Sequence, residues 1–162
     1  MRRRLLVVAP NPVEVVRYAG GWLFDRAIAG WDVRVLTADP ANSRPLRILG
    51  ARPFHLEPTL ASPVRGPRPQ AVAVAAELYD ADARVRRLVH AALDDGMTDC
   101  RLWADRWPTG FAEGSDAVRY RMSTAARAFK AQAMAALAAP IDELETTETF
   151  RQAELLHPSA SA

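Results

Sequence analysis

The stretch Val8–Phe24, VAPNPVEVVRYAGGWLF, follows the apolar run Leu5-Leu6-Val7-Val8-Ala9 without a gap. A short continuous apolar run is the pattern of a strand buried on both faces. Pro10 and Pro12 end that strand. From Val13 to Ala29, apolar residues then recur at Val16, Ala19, Leu23, Ala27 and Ile28, near helical spacing, and Gly30 supplies the residue after the helix. The stretch therefore reads as strand, sharp turn, helix. Its turn carries only Asn11 and Glu14 as polar side chains.

Working outward, Trp31–Thr37 (WDVRVLT) alternates as a strand. Asn42 or Ser43 caps a short helix with Pro45 in its first turn and Gly50 at its end. Pro53–Leu56 reads as a third strand. The order β-α-β-α-β with short connections predicts an α/β, Rossmann-like three-layer α/β/α fold with a mainly parallel sheet of about five or six strands. Right-handed crossovers bring the carboxyl ends of those strands, and with them Pro10–Glu14, to one edge.

The second half is expected to hold a proline-rich loop (Glu57–Pro69), a buried strand (Gln70–Ala76) and a helix (Asp80–Leu93) facing inward through Val85, Leu88, Val89 and Ala92. A fifth strand at Asp99–Ala104, a loop at Pro108–Ser115, a weakly alternating strand at Val118–Met122 and a helix at Thr124–Ala138 capped by Ser123 follow. Pro140 is read as opening an acidic helix to about Leu155. Residues 1–156 form a single domain in this reading, with 157–162 as a flexible tail.

Composition narrows the function. The chain has 162 residues, 49% hydrophobic and 25% charged, with a net charge of +2, which is ordinary globular usage. No apolar run approaches the roughly 20 residues needed to span a bilayer. The apolar start after Arg2-Arg3-Arg4 is shorter than the roughly 7–15 residues of a signal-peptide core, so a cytoplasmic protein is expected, with no membrane partner. Arg2-Arg3-Arg4 is the one tight basic run and is read as a solvated chain end. No basic stripe with interleaved aromatics supports nucleic-acid binding. The single cysteine, Cys100, is read as a small buried strand residue. Gly20 and Gly21 lie inside a helix, outside any phosphate-binding Gly-rich turn, and are read as close-packing positions.

With those residues in view, the opening turn resembles the PIG-L/LmbE-like family of zinc-dependent N-acetylglucosaminyl deacetylases. Members begin with a buried strand and the turn P-H-P-D-D-E-V-x-x-x-G-G; here the same register reads P-N-P-V-E-V-V-R-Y-A-G-G, Pro10–Gly21. Leu46–Glu57 (LRILGARPFHLE), the segment ADARVRRLVHAAL, the late helix YRMSTAARAFKAQAMAAL and the element ETFR, Glu148–Arg151, resemble further family pieces in the same order.

The resemblance implies a zinc ion held by a histidine and an aspartate of the first motif and a histidine of a second, His-Pro-Asp-His. It further implies an aspartate base and a histidine that steadies the oxyanion. Carried over position by position, the first metal histidine falls on Asn11, the base on Val13, the metal aspartate on Glu14 and the motif's glutamate on Val15. The second motif falls on Asp80, Ala81, Asp82 and Ala83. Asp80 then replaces the oxyanion histidine and Ala83 the last metal histidine. These positions describe a degenerate cleft (Asn11, Val13, Glu14, Asp80, Asp82, Ala83), with Glu14 and Asp82 the residual metal candidates and no cofactor expected where the family norm is zinc.

An oxygen-lined site for Mg²⁺ or Ca²⁺ from Asn11, Glu14, Asp80 and Asp82 is the sharper alternative. A site from His55, His90 and His157 is not expected, because those positions do not converge. Trp103 and Trp107 either line a sugar pocket or pack at its rim, and Arg17 is read as facing solvent. Function divides three ways: a degenerate deacetylase-fold protein acting in small-ligand binding, regulation or scaffolding; an active deacetylase or hydrolase on an N-acetyl sugar derivative around Glu14; or a nucleotide-sugar-binding half domain resembling a glycosyltransferase. A small sugar-like ligand and either a second copy or an intact paralogue are the expected partners.

Overall fold

The computed structural model describes residues 2–39, 41–57, 68–96, 98–107, 117–138 and 145–152. The loops expected over most of 57–69 and 108–115, the tail 157–162 and His157 lie outside the described residues.

Strand β1 (Arg4–Ala9) leads into helix α1 (Pro12–Ile28), and β2 (Asp32–Thr37), α2 (Arg44–Ile48) and β3 (Arg52–His55) complete the expected β-α-β-α-β unit. Pro12 occupies the first turn of α1, where its missing N–H is no loss. The Asn11 side chain accepts from the Glu14 backbone N–H and caps the helix. Gly30 follows the helix at φ +94°, a backbone conformation that the lack of a Cβ makes inexpensive.

Strand β4 (Ala71–Ala75) is buried along its whole length. It is followed by α3 (Ala76–Ala81), α4 (Ala83–Asp95), β5 (Asp99–Trp103), β6 (Ala117–Arg121), α5 (Thr124–Ala136) and β7 (Thr147–Gln152). The sheet has seven strands in the order β3-β2-β1-β4-β5-β7-β6. The first five pair in parallel, and β7 pairs antiparallel with both β5 and β6.

Two expectations change. The helix expected over Asp80–Leu93 is two helices, broken at Asp82, whose extended backbone ends α3 and whose side chain caps α4 through the Arg84 N–H. The acidic helix expected from Pro140 to Leu155 is, within its described part, strand β7. TETFRQ buries Glu148 and Phe150 on one face and pairs with β5 and β6, and its two threonines and phenylalanine suit a strand.

The core forms two clusters, one on each face of the sheet. One joins α1, α2 and α5 to the sheet through residues such as Val16, Leu23, Leu46, Ala126 and Met134. The other packs Val85 and Val89 of α4 on Val72, Val74, Cys100 and Leu102. This is the three-layer sandwich that the sequence pattern implies. Cys100 is buried, and burial pushes its thiol up to about 12. In the Arg2-Arg3-Arg4 run, Arg2 and Arg3 are exposed, Arg2 donating to the Gly30 carbonyl and Arg3 lying over the Trp31 ring, while Arg4 in β1 is half-buried and pairs with Asp32.

Candidate active site at the sheet's switch point

The chain runs outward from β1 through β2 to β3, then returns and runs the other way from β4 to β5. The gap between the carboxyl ends of β1 and β4 is thus a topological switch point, where open α/β sheets hold ligands. A cavity of about 520 Å³ lies there. After β1 it is lined by Asn11, Val13 and Glu14, with Arg17 and Tyr18 one helical turn further along α1. Glu77 and Asp80 of α3 contribute from the end of β4, and Asp105 and Arg106 from the end of β5.

Four of the six sequence-derived positions line this cavity: Asn11, Val13 and Glu14 from the turn after β1, and Asp80 from α3. Asp80 comes from the last turn of α3, not from a helix start. Asp82 points elsewhere. Its carboxylate takes the Arg84 backbone N–H at 2.9 Å and the Arg84 guanidinium at 3.1 Å, and the same guanidinium holds both oxygens of Glu57. Ala83 is the first residue of α4. Arg17, read as facing solvent, lines the cavity. Glu77, Asp105, Arg106 and Tyr18 are additions that the sequence reading missed.

Glu14 is half-buried, and its Oε1 accepts the Trp103 indole N–H at 3.1 Å. Burial raises its carboxyl above the ordinary carboxylate range; the Trp103 bond and Arg17 oppose this, while Glu77 and Asp105 add to it. Burial likewise raises the Tyr18 phenol, helped by the Asp105 carboxylate. Trp103 is fully buried and stacks on Tyr18 with ring centroids 6.4 Å apart, so it is a wall behind Glu14 and not a pocket rim.

The donor set does not fit the zinc that the resemblance implies. The Asn11 oxygen is engaged as a helix cap, Val13 and Ala83 offer hydrocarbon, and zinc prefers imidazole, thiolate or carboxylate in a converging set. Of the positions matched to the two motifs only Glu14 and Asp80 are carboxylates at the cavity, and Glu77 and Asp105, which also line it, add no imidazole or thiolate. Among the described residues, no group of three or more histidines, cysteines, aspartates or glutamates comes together to hold a metal ion. His55 closes β3, and His90 in α4 bonds the Tyr79 hydroxyl at 2.9 Å. No described helix is long and apolar enough to cross a membrane.

No family model matches the chain, and no curated protein matches it. Solved structures do share the fold. The A40926 pseudoaglycone deacetylase Dbv21 gives a TM-score of 0.64 at 18% identity, over 94% of this chain and 97% of that one. The N,N'-diacetylchitobiose deacetylase from Pyrococcus horikoshii gives 0.61 at 13% identity, over 99% and 88%. GalB, the 4-carboxy-2-hydroxymuconate hydratase from Pseudomonas putida KT2440, gives 0.64 at 13% identity, over 99% and 98%. The chain thus has the fold of the PIG-L/LmbE-type deacetylases, the family that its opening turn resembles.

Proposed function

We propose that this chain is a catalytically degenerate deacetylase-fold protein that binds a small ligand in the switch-point cavity and neither holds zinc nor hydrolyses N-acetyl groups. The observation that carries the reading is the turn after β1. The position for a general base is the hydrocarbon Val13, and the neighbouring amide of Asn11 is committed to capping α1. Loss of a general base alone costs about 10²–10⁴ in rate. Without a metal there is no means of making hydroxide near neutral pH. The fold needs none of these polar groups, so it outlives the activity.

The deacetylase names among the structural neighbours, an antibiotic pseudoaglycone and a chitobiose, make a sugar-like ligand the first class to test. A regulatory or scaffold role has as its partner a second copy of the chain or an intact paralogue.

One observation favours a second reading. Glu14 is half-buried beside Glu77 and Asp105, with its carboxyl raised, which suits a general acid or base in a rearranged hydrolase site. The nucleotide-sugar half-domain reading gains no such support, since the deacetylase fold accounts for nearly the whole chain.

Acetate release from an N-acetylglucosamine derivative, measured with and without added zinc, separates these readings. No acetate above the protein-free blank is expected. Zinc-dependent turnover would overturn the proposal. Zinc-independent turnover that Glu14→Ala abolishes would transfer support to the second reading.

A further inference from the structure

Helix α1 begins at the cleft and ends at a surface that the cleft does not use, about 22 Å away at roughly 1.5 Å per residue. Among the described residues two large apolar side chains are exposed, Ile28 at 73% and Phe129 at 39%. Both line one open surface hollow of about 550 Å³. Ile28 is the last residue of α1, and Phe129 of α5 stacks on Phe24 with ring centroids 4.7 Å apart. Ile48 of α2 and Ala125 of α5 add to the apolar lining.

A second open hollow of about 500 Å³ adjoins it, and the two share Arg2 and Trp31. Arg2, Arg3 and Arg26 line this one. None of the three has an acidic partner among the described residues. Arg2 gives its Nε–H to the Gly30 carbonyl, Arg3 lies over the Trp31 ring, and Arg26 lies over Trp31 and Tyr120. Other arginines of the fold are matched to acids, as Arg34 is to Asp32 and Arg84 to Glu57 and Asp82. Asp25, which lines the apolar hollow, has both oxygens taken by the Tyr120 hydroxyl and by Ser123.

We propose that this end of the protein is a docking face for the surface of an anionic lipid bilayer. The arginines meet headgroup phosphates and carboxylates, whose oxygens suit planar N–H donors. Ile28 and Phe129 enter among the upper acyl chains, and Trp31, shared by the two hollows, sits at the boundary where indoles gather. Charge and apolar surface side by side are what such a contact needs. A second copy seated face to face through a two-fold axis would instead set these arginines against one another. The sequence expectation of no membrane partner rested on span length, which a surface contact does not require. The inference is independent of whether the cleft holds zinc.

Co-sedimentation of the full chain with vesicles tests it, using phosphatidylcholine alone and phosphatidylcholine mixed with phosphatidylserine. Saturable binding to the mixed vesicles, weakened by salt, is expected, with little to phosphatidylcholine alone. Arg3→Gln is expected to weaken it about fivefold, the usual share of one arginine near an anionic surface. Ile28→Ser should weaken it about tenfold, the share of a partly buried side chain. Both side chains are exposed, and unchanged thermal midpoints check that the variants fold. Arg87→Gln, on the exposed side of α4 over the other sheet face, should leave binding unchanged. The proposal is overturned if the mixed vesicles bind nothing, if Arg3→Gln and Ile28→Ser bind like the parent, or if Arg87→Gln weakens binding as much as Arg3→Gln. A dimer in solution that Ile28→Ser dissolves would assign the face to a second copy and overturn it as well.

Discussion

Glu148→Ala is expected to remove about 3–5 kcal/mol of stability, the usual effect of leaving a buried charge without its partner. That is a large part of the roughly 5–15 kcal/mol that holds a domain folded. Glu148 sits on β7 at 3% exposure and reaches into α1. Its two oxygens accept the backbone N–H groups of Gly21 at 2.8 Å and Trp22 at 2.6 Å. The Lys130 ammonium from α5 bonds the same carboxylate and the Arg17 carbonyl. In a regular helix the Gly21 N–H would seek the Arg17 carbonyl; here each of these groups has a side-chain partner. One ion pair thus ties α1, α5 and β7 together. Alanine at 148 strands an ammonium and takes an acceptor from two buried N–H groups. Chemical denaturation should show the midpoint falling sharply.

Lys130→Met is expected to be milder, because Glu148 can protonate. Burial already raises the Glu148 carboxyl above its ordinary 4.5, with Lys130 and the two backbone bonds opposing. A raised folded pKa means that the folded state binds the proton more tightly than the unfolded chain, so stability falls as pH rises from 4.5 to the folded value. Removing Lys130 moves the folded value higher and extends that decline toward neutral pH. Denaturation of Lys130→Met at several pH values should show stability lost on raising the pH, with the decline continuing to higher pH than in the parent.

The second large effect concerns two adjacent glycines that look alike in the sequence. A Cβ on Gly21 would collide with Met122 Sδ and Cγ, whereas one on Gly20 meets nothing nearer than 3.4 Å. Met122 is 5% exposed and has little room to retreat. Gly21→Ala is therefore expected to destabilise by about 1–3 kcal/mol through overpacking, less whatever part of the roughly 1 kcal/mol helix-propensity gain survives. Gly20→Ala should be neutral or stabilising by up to about that 1 kcal/mol. A double-mutant cycle isolates the cause: in a Met122→Ala background the methyl at 21 fills vacated space, so Gly21→Ala should change sign and stabilise. An equal loss in both backgrounds would show that the helix, not Met122, sets the effect.

These two examples mark where sequence legibility ended. The β-α-β-α-β half was readable because its apolar periods, Pro12 and Gly30 all point the same way. Strand β7 was not, because Glu148 is acceptable inside a sheet only through Lys130 and two distant N–H groups, contacts that no local pattern encodes. The break at Asp82 was hidden because the apolar positions continue on either side of it, and only the cap geometry interrupts the helix. At the site, Asn11, Glu14 and Asp80 came together as expected. Glu77, Asp105 and Arg106 were missed, although they follow β4 and β5 by two or three residues. No family motif falls on these three residues, and only the rule that ligands gather at strand carboxyl ends points to them. Asp82 was the opposite case, an acid near the right edge whose oxygens are committed to Arg84.

On the function proposed above, the residues after β1 and β4 do not hold zinc. Elemental analysis and calorimetric titration of purified protein with zinc, with Glu14→Ala beside it, measure this directly. The expected result is well under one equivalent bound after a chelating wash, and no saturable heat that Glu14→Ala removes. One tightly held zinc per chain, lost in Glu14→Ala, would contradict the account.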